Sequence, residues 1–220
     1  MFTLVQPNEV KENEDLIRLA FELRKKVFAD QLNWDVTSER GREFDEYDNE
    51  NAHYLIWCSD DRKVLFGHIR LIATIHPTLL FNVFGRTHHN DQSLIGHEIF
   101  EGTRMCIDED MIARHHPQLT AADAFNRLFL SLCEAALALG VRRLVSNFEP
   151  AMSRIYRRVG VKYKLHGKSH GYGLQPVCCG SFKVSTAVLY EMRKKVGITK
   201  PIFTPSAQFS PAVPMPALAA

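Results

Sequence analysis

No stretch of the 220-residue sequence approaches the roughly 18 uncharged apolar residues that a membrane-spanning helix needs. The first residues, MFTLVQPNEVKENEDL, turn acidic where a secretory signal would be apolar. The expected location is therefore the cytoplasm, without stable membrane insertion. Zinc-like CxxC pairs are missing as well. Cys58, Cys106, Cys133, Cys178 and Cys179 are odd in number, which points to reduced thiols rather than a disulfide framework. No internal repeat is found. A large net charge is also absent: the formal value of +2 argues against a nucleic-acid-binding module, and no helix-turn-helix pattern stands out.

What the chain does have is enough apolar material, 45% of its residues, for one sizeable core. We read residues 1–197 as a single domain. Residues 198–220, ITKPIFTPSAQFSPAVPMPALAA, are rich in proline and small residues and read as a disordered or loosely docked tail. Charge is unevenly spread. Residues 1–60 carry fourteen acids against seven bases, whereas residues 142–168 carry eight bases and one acid, Glu149. Such regions can draw different partners to different faces, although a solvated surface is the simpler use of a basic run.

Periodicity predicts a helix over residues 14–28, with Leu16, Leu19, Leu23 and Val27 on one face. A long loop follows, and Trp34, Phe44 and Tyr47 favour its folding back on the body. Residues 52–59 and 64–74 read as a β-hairpin, and Ile99–Ile107 as a third strand. The histidine-rich residues 75–97 resist assignment. Thr120 reads as the N-cap of a helix that ends at Gly140. Residues 141–148 then read as a strand, Ala151–Arg158 as a helix closed by Gly160, residues 161–167 as a strand, and Phe182–Tyr190 as a last strand. Strands gathered around a few helices suggest a three-layer α-β-α sandwich with a mixed central sheet.

The chemistry-bearing pattern begins with Arg24-x3-Phe28-x5-Trp34 and continues with Asp45-x2-Asp48, Arg70 and Glu101-Gly-Thr-Arg104. Arg24 and Phe28 are four apart and share a helix face. Paired aspartates can hold a divalent metal, but no third ligand follows at suitable spacing, so no metal is assigned. Arg70, Glu101 and Arg104 fall in strands, where a charge is costly to bury without a partner, and pairing is expected.

These eight positions, over roughly residues 15–160, resemble the signature of the LuxI-type acyl-homoserine-lactone synthases. The resemblance implies a GNAT-like acyltransferase fold and a two-step reaction. An acyl thioester acylates the amine of S-adenosylmethionine, and lactonisation then releases 5′-methylthioadenosine. It also implies that Arg24, Phe28, Trp34, Asp45, Asp48 and Arg104 bind S-adenosylmethionine, a consumed substrate, so that no resident cofactor is expected. Glu101 becomes the candidate proton-handling group, with Arg70, Arg104 and Asp45 as its catalytic neighbours.

The resemblance further places the acyl chain at the late strand–helix unit, against Val145, Ser146, Phe148, Met152 and Ile155, all of which also suit core packing. Acyl carrier protein is a strongly acidic donor, and Arg142, Arg143, Arg154, Arg157, Arg158 and Lys162 form its candidate dock. Acyl-coenzyme A remains an alternative donor. The main rival is an N-acetyltransferase of the same fold acting on another amine. Its usual glycine-rich phosphate turn before the long helix is replaced here by RHHPQLTAADA.

Overall fold

Near-continuous apolar runs in HYLIWC and LFGHIRLIA place two strands, buried on both faces, side by side. In the computed structural model, which describes residues 1–206 and 208–213, they are β4 (His53–Cys58) and β5 (Leu65–Ala73), paired antiparallel. They belong to a seven-stranded sheet of order β1-β4-β5-β6-β7-β9-β8, with β1 Phe2–Val5, β6 Ile99–Ile107, β7 Arg143–Phe148, β8 Tyr163–Ser169 and β9 Val177–Lys183. Only β6 and β7 run parallel, so the sheet is mixed. A small ribbon, β2 (Ser38–Glu39) with β3 (Arg42–Glu43), stands apart.

Each strand shows one face to each helical layer. Tyr54, Ile56, Ile72 and Cys106 face α1 (Glu14–Arg24), whose Leu16, Ile17, Ala20 and Leu23 complete that core. On the same side, Leu80, Leu94, Ile99, Val145 and Cys179 form a smaller cluster beneath residues 79–94, which include α2 (Leu79–Asn82). The opposite face carries the largest core. Leu55, Trp57, Ile69, Leu71, Phe100, Leu144 and Phe148 pack there with α3 (Glu109–His115), α4 (Ala121–Ala138), α5 (Met152–Val159) and α6 (Thr186–Val196). The three-layer α-β-α sandwich is thus present.

Local signals set several boundaries. Thr120 caps α4 reciprocally with Asp123, and Gly140 follows the helix in the left-handed conformation, φ +82°. The expected strand Phe182–Tyr190 is corrected. β9 ends at Lys183, and the Ser185 hydroxyl accepts from the Val188 amide to start α6, which buries Leu189 and Met192. A capping serine and apolar spacing of three outweigh the β-branched residues. The helix expected over 14–28 also changes character. After Arg24 it widens into a π-helical turn over Lys25–Gln31.

Described residues of the 198–220 tail dock on the body of the fold. Both oxygens of the buried Glu134 carboxylate are occupied. Oε2 accepts from the Ile202 and Phe203 amides at 3.0 and 2.7 Å, and Oε1 accepts from Arg193 at 2.7 Å. Phe203 is buried and bridges Phe2 of the edge strand, while Gln6 and Ser210 exchange two hydrogen bonds. Two amide bonds to the Glu134 carboxylate, the Gln6–Ser210 pair and one aromatic anchor compensate for the low apolar content. Residues 207 and 214–220 lie outside the described residues.

Candidate active site

Three arginines and three carboxylates interlock on the α1 face of the sheet. Arg24 is fully buried at the end of α1. Its Nη1 and Nη2 donate to the two oxygens of Asp48 at 2.7 and 2.8 Å, and its Nε donates to Glu43 at 2.5 Å. Arg70, buried on β5, donates to both oxygens of Asp45 and, through Nε, to the Thr103 hydroxyl at 3.1 Å. It also pairs with Asp48 at 3.0 Å. Arg104 closes the ring, with contacts of 3.0 Å to Glu43 and 2.9 Å to Asp45. Forked guanidinium–carboxylate pairs of this kind fix geometry as well as charge. Burial would raise the Asp48 carboxyl, but Arg24 and Arg70 overcome it and hold the group well below the usual carboxylate range. The Tyr54 hydroxyl donates to Asp48 at 3.1 Å, and His68 stacks on the Tyr54 ring.

A bulge aims Arg104. An unbroken strand would put Glu101 and Arg104, three residues apart, on opposite faces. In the β5–β6 register, His68 pairs with Cys106 and Arg70 with Thr103, so Arg104 and Met105 together stand opposite Ile69. Arg104 takes φ +55°, an uncommon conformation for a residue with a Cβ. Through this extra residue Thr103 and Arg104 both reach the α1 face, as bulges beside functional sites commonly arrange.

The π-helical turn positions the aromatic pair. Its wider winding lets the Leu32 amide donate to the Val27 carbonyl, and the Trp34 amide then donates to the Phe28 carbonyl. Phe28 is buried, and Trp34, 44% exposed, stacks on it with centroids 5.0 Å apart. The Arg104 guanidinium lies 5.7 Å from the Phe28 centroid. Arg24, Phe28, Trp34, Asp45, Asp48, Arg70 and Arg104 are therefore gathered into one site.

Glu101 stands apart from the ring. It was expected to pair with an arginine, yet among the described residues it makes no ion pair, and its Oε1 is buried there without a hydrogen-bond partner. Burial pushes its carboxyl up to about 7, against the pull of Arg70, the Leu80 amide and Arg104. A carboxyl in that range can exchange a proton near neutral pH. It sits where the sheet opens. β6 and β7 pair only from Ile99–Arg143 to Glu101–Val145, and beyond that point β7 keeps its pairing with β9 alone. The Ser146 hydroxyl bridges the gap to the Gly102 carbonyl at 2.8 Å.

Two expected groupings are divided by strand alternation. Ser146, Phe148, Met152 and Ile155 lie on the α4–α6 face, but Val145 points the other way, into the cluster with Leu80 and Leu94. Phe148 meets the Tyr156 and Tyr163 rings edge-on, at 5.0 and 5.2 Å. Of the basic residues, Arg154, Arg157, Arg158 and Lys162 are exposed on or after α5. Arg143 shares the face of Val145 and donates to the Ser93 carbonyl, while Arg142 pairs with Glu98. Glu43 was missed by the sequence reading. Its signal is its position two residues before Asp45, since alternate residues of an extended segment share a side.

The comparisons with known proteins bear on this arrangement. A family model described as autoinducer synthase matches residues 8–192. The chain belongs to the autoinducer synthase family. An acyl-homoserine-lactone synthase from Serratia liquefaciens is 31% identical over 159 residues, covering 72% of this chain and 74% of that one. The enzyme is accordingly an acyltransferase of the acyl-homoserine-lactone synthase family. Its fold matches that of a CoA-dependent acyl-homoserine lactone synthase, BjaI, solved with SAM and isopentyl-CoA. That TM-score is 0.84, with 19% identity and 96% of each chain covered. A Lactobacillus plantarum N-acetyltransferase candidate shares the fold at TM-score 0.50 and 17% identity, over 84% of this chain and 97% of that one. The fold is GNAT-like, and the family assignment displaces the N-acetyltransferase rival. Among the described residues no cluster of three metal-ligating side chains occurs, and no helix is long and apolar enough to cross a membrane.

Proposed function

We propose that the enzyme acylates the amine of S-adenosylmethionine from an acyl carrier protein thioester and then closes the lactone, releasing 5′-methylthioadenosine. One observation carries the reading: a buried carboxyl shifted to about 7 stands at the parting of β6 and β7, beside a ring in which three guanidinium and three carboxylate groups balance. The methionyl end of S-adenosylmethionine carries an ammonium, a carboxylate and a sulfonium. A ring offering both signs at fixed positions complements such a zwitterion, and the Phe28–Trp34 stack offers a π face to the sulfonium. Glu101 takes the proton of the attacking amine. The second step, attack of the methionyl carboxylate on its own γ-carbon, needs positioning more than proton transfer, because the sulfonium is already a good leaving group.

The parting of β6 and β7 gives the thioester a route to the amine from the α4–α6 side, where Ser146, Phe148, Met152 and Ile155 receive the acyl chain. For the carrier, exposed Arg154, Arg157, Arg158 and Lys162 suit an acidic protein surface. Acyl-coenzyme A is the second reading, given the CoA-dependent neighbour of the same fold. Against it, the first turn of α4 carries the acidic Asp123. Its amide donates to the Thr120 hydroxyl and its carboxylate accepts from the Thr120 amide, so this helix start presents an anion rather than a free cradle to pyrophosphate. The reaction calls for no resident cofactor or metal and belongs in the cytoplasm, where both substrates are made.

The test is incubation of the purified enzyme with S-adenosylmethionine and a panel of acyl carrier protein and coenzyme A thioesters. Mass spectrometry should find an N-acyl-homoserine lactone and methylthioadenosine in equal amounts. Absence of both with every donor would sink the proposal.

A further inference from the structure

Buried polar atoms in folded proteins nearly always find partners, so the few that do not mark groups that meet theirs elsewhere. Two such atoms stand on one face of the sheet where β6 and β7 part: Glu101 Oε1 and Asn147 Oδ1. Glu101 is in register with Val145, and Asn147 is two residues further along β7, hence on the same side. The orientation of the Asn147 amide is fixed from behind. The Thr87 hydroxyl donates to the Phe84 carbonyl at 2.7 Å, which leaves its lone pairs to accept from Asn147 Nδ2 at 2.8 Å. Turning the amide over would require the Thr87 hydroxyl to give up its bond to the Phe84 carbonyl. Oδ1 is therefore held as an acceptor with no donor.

We infer that Asn147 is a substrate-binding residue whose Oδ1, together with Glu101, accepts hydrogen bonds from the amine that becomes acylated. The inference rests on the reaction proposed above and names a residue outside the eight-position motif. Two acceptors on one face of the parting strands suit a group with several N–H donors, which a primary amine has. Their chemistry is complementary. Glu101 accepts the proton that the amine must lose, whereas the neutral amide of Asn147 orients the remaining N–H bonds without adding a second charge to hold the amine as ammonium. Thr87 acts through Asn147 and is a positioning residue.

The test compares binding of S-adenosylmethionine with that of its analogue lacking the α-amine, by calorimetry, in the wild-type enzyme and in Asn147→Leu. The wild type should bind S-adenosylmethionine at least about tenfold more tightly than the analogue, as expected for a hydrogen bond to a charged or strongly polar group. In Asn147→Leu the ratio should fall several-fold while binding of the analogue is unchanged. Asn147→Asp should bind S-adenosylmethionine more tightly yet acylate it only at higher pH. If Asn147→Leu lowers thermal stability, Thr87→Val carries the same comparison, because it removes the lone pair that fixes the amide. A ratio unchanged in whichever variant remains folded overturns the inference. A wild type that makes lactone but shows no preference for the amine overturns it alone, whereas one that binds neither compound and makes no lactone overturns the reading beneath it too.

Discussion

The two faces of the sheet around β6 and β7 are built on opposite principles. On the α1 side, fixed charges are locked by partners: Arg24, Arg70 and Arg104 each hold two carboxylates, and backbone amides of the 45–48 turn add to the lock. On the α4–α6 side the walls are apolar, and the polar atoms are few, such as the Ser146 hydroxyl. Desolvated charges tolerate little displacement, because each lost partner leaves a buried charge uncompensated. Apolar walls tolerate exchange of shape and size at modest cost. The difference separates what the reaction keeps constant, the charged substrate, from what can vary, the acyl chain.

The most damaging way to break this contrast is Glu43→Ala. It takes one of two carboxylate partners from Arg24 and from Arg104 at once and leaves the ring with three guanidinium groups against two carboxylates. We expect a loss of about 3–5 kcal/mol in unfolding free energy, read from denaturant titration. A loss below about 1 kcal/mol would mean that the ring is not the rigid element described.

Glu101→Gln should do the reverse to stability. The carboxyl titrates at about 7 in the folded protein, above its ordinary value, so its ionisation opposes folding as pH rises from about 4.5 toward 7. Removing it should stabilise the protein at pH 8 by up to about 3 kcal/mol and have no effect below about pH 4. Thermal midpoints at the two pH values give the check.

On the apolar side the expected effects are smaller. Reversing Arg154 and Arg157 to glutamate should raise KM for an acyl carrier protein donor by about tenfold at low salt, and the difference should shrink as salt rises, since exposed charges act through a screened field. A coenzyme A donor used equally well by both proteins would confine the effect to the carrier. The mildest change is Ser146→Ala, which removes one hydrogen bond across the parting strands. It should cost about 0.5–1.5 kcal/mol of stability and leave KM for S-adenosylmethionine unchanged.

The same contrast explains how far the sequence could be read. The hairpin β4–β5, strand β6 and the capped helix α4 follow from local periodicity and end signals, which act over a few residues. Seven of the eight motif positions meet in one ring or its aromatic border, because a charge in a strand has few neighbours it can satisfy. Alternation was harder to read. Nothing local announces the bulge that turns Arg104 onto the face of Glu101, and Val145 was grouped with Ser146 although adjacent strand residues point apart. The covering segment at 79–94 was illegible because its turns are short and its anchors, Leu80 and Leu94, bury themselves only against distant strands. The docking point of the tail was not legible, because composition cannot reveal a buried acceptor such as Glu134 on another helix.

The most direct test of the account is the pH dependence of acylation in single turnovers with saturating S-adenosylmethionine, comparing the wild type with Glu101→Gln. Proton transfer to a positioned group contributes typically about 10²–10⁴-fold. The wild-type rate should rise through an apparent pKa near 7 and then level off, as the Glu101 carboxyl ionises. Glu101→Gln, still binding S-adenosylmethionine, should be slower by at least about a hundredfold and lack that limb. A variant that keeps both the rate and the limb would contradict the assignment of Glu101 and the division of labour built on it.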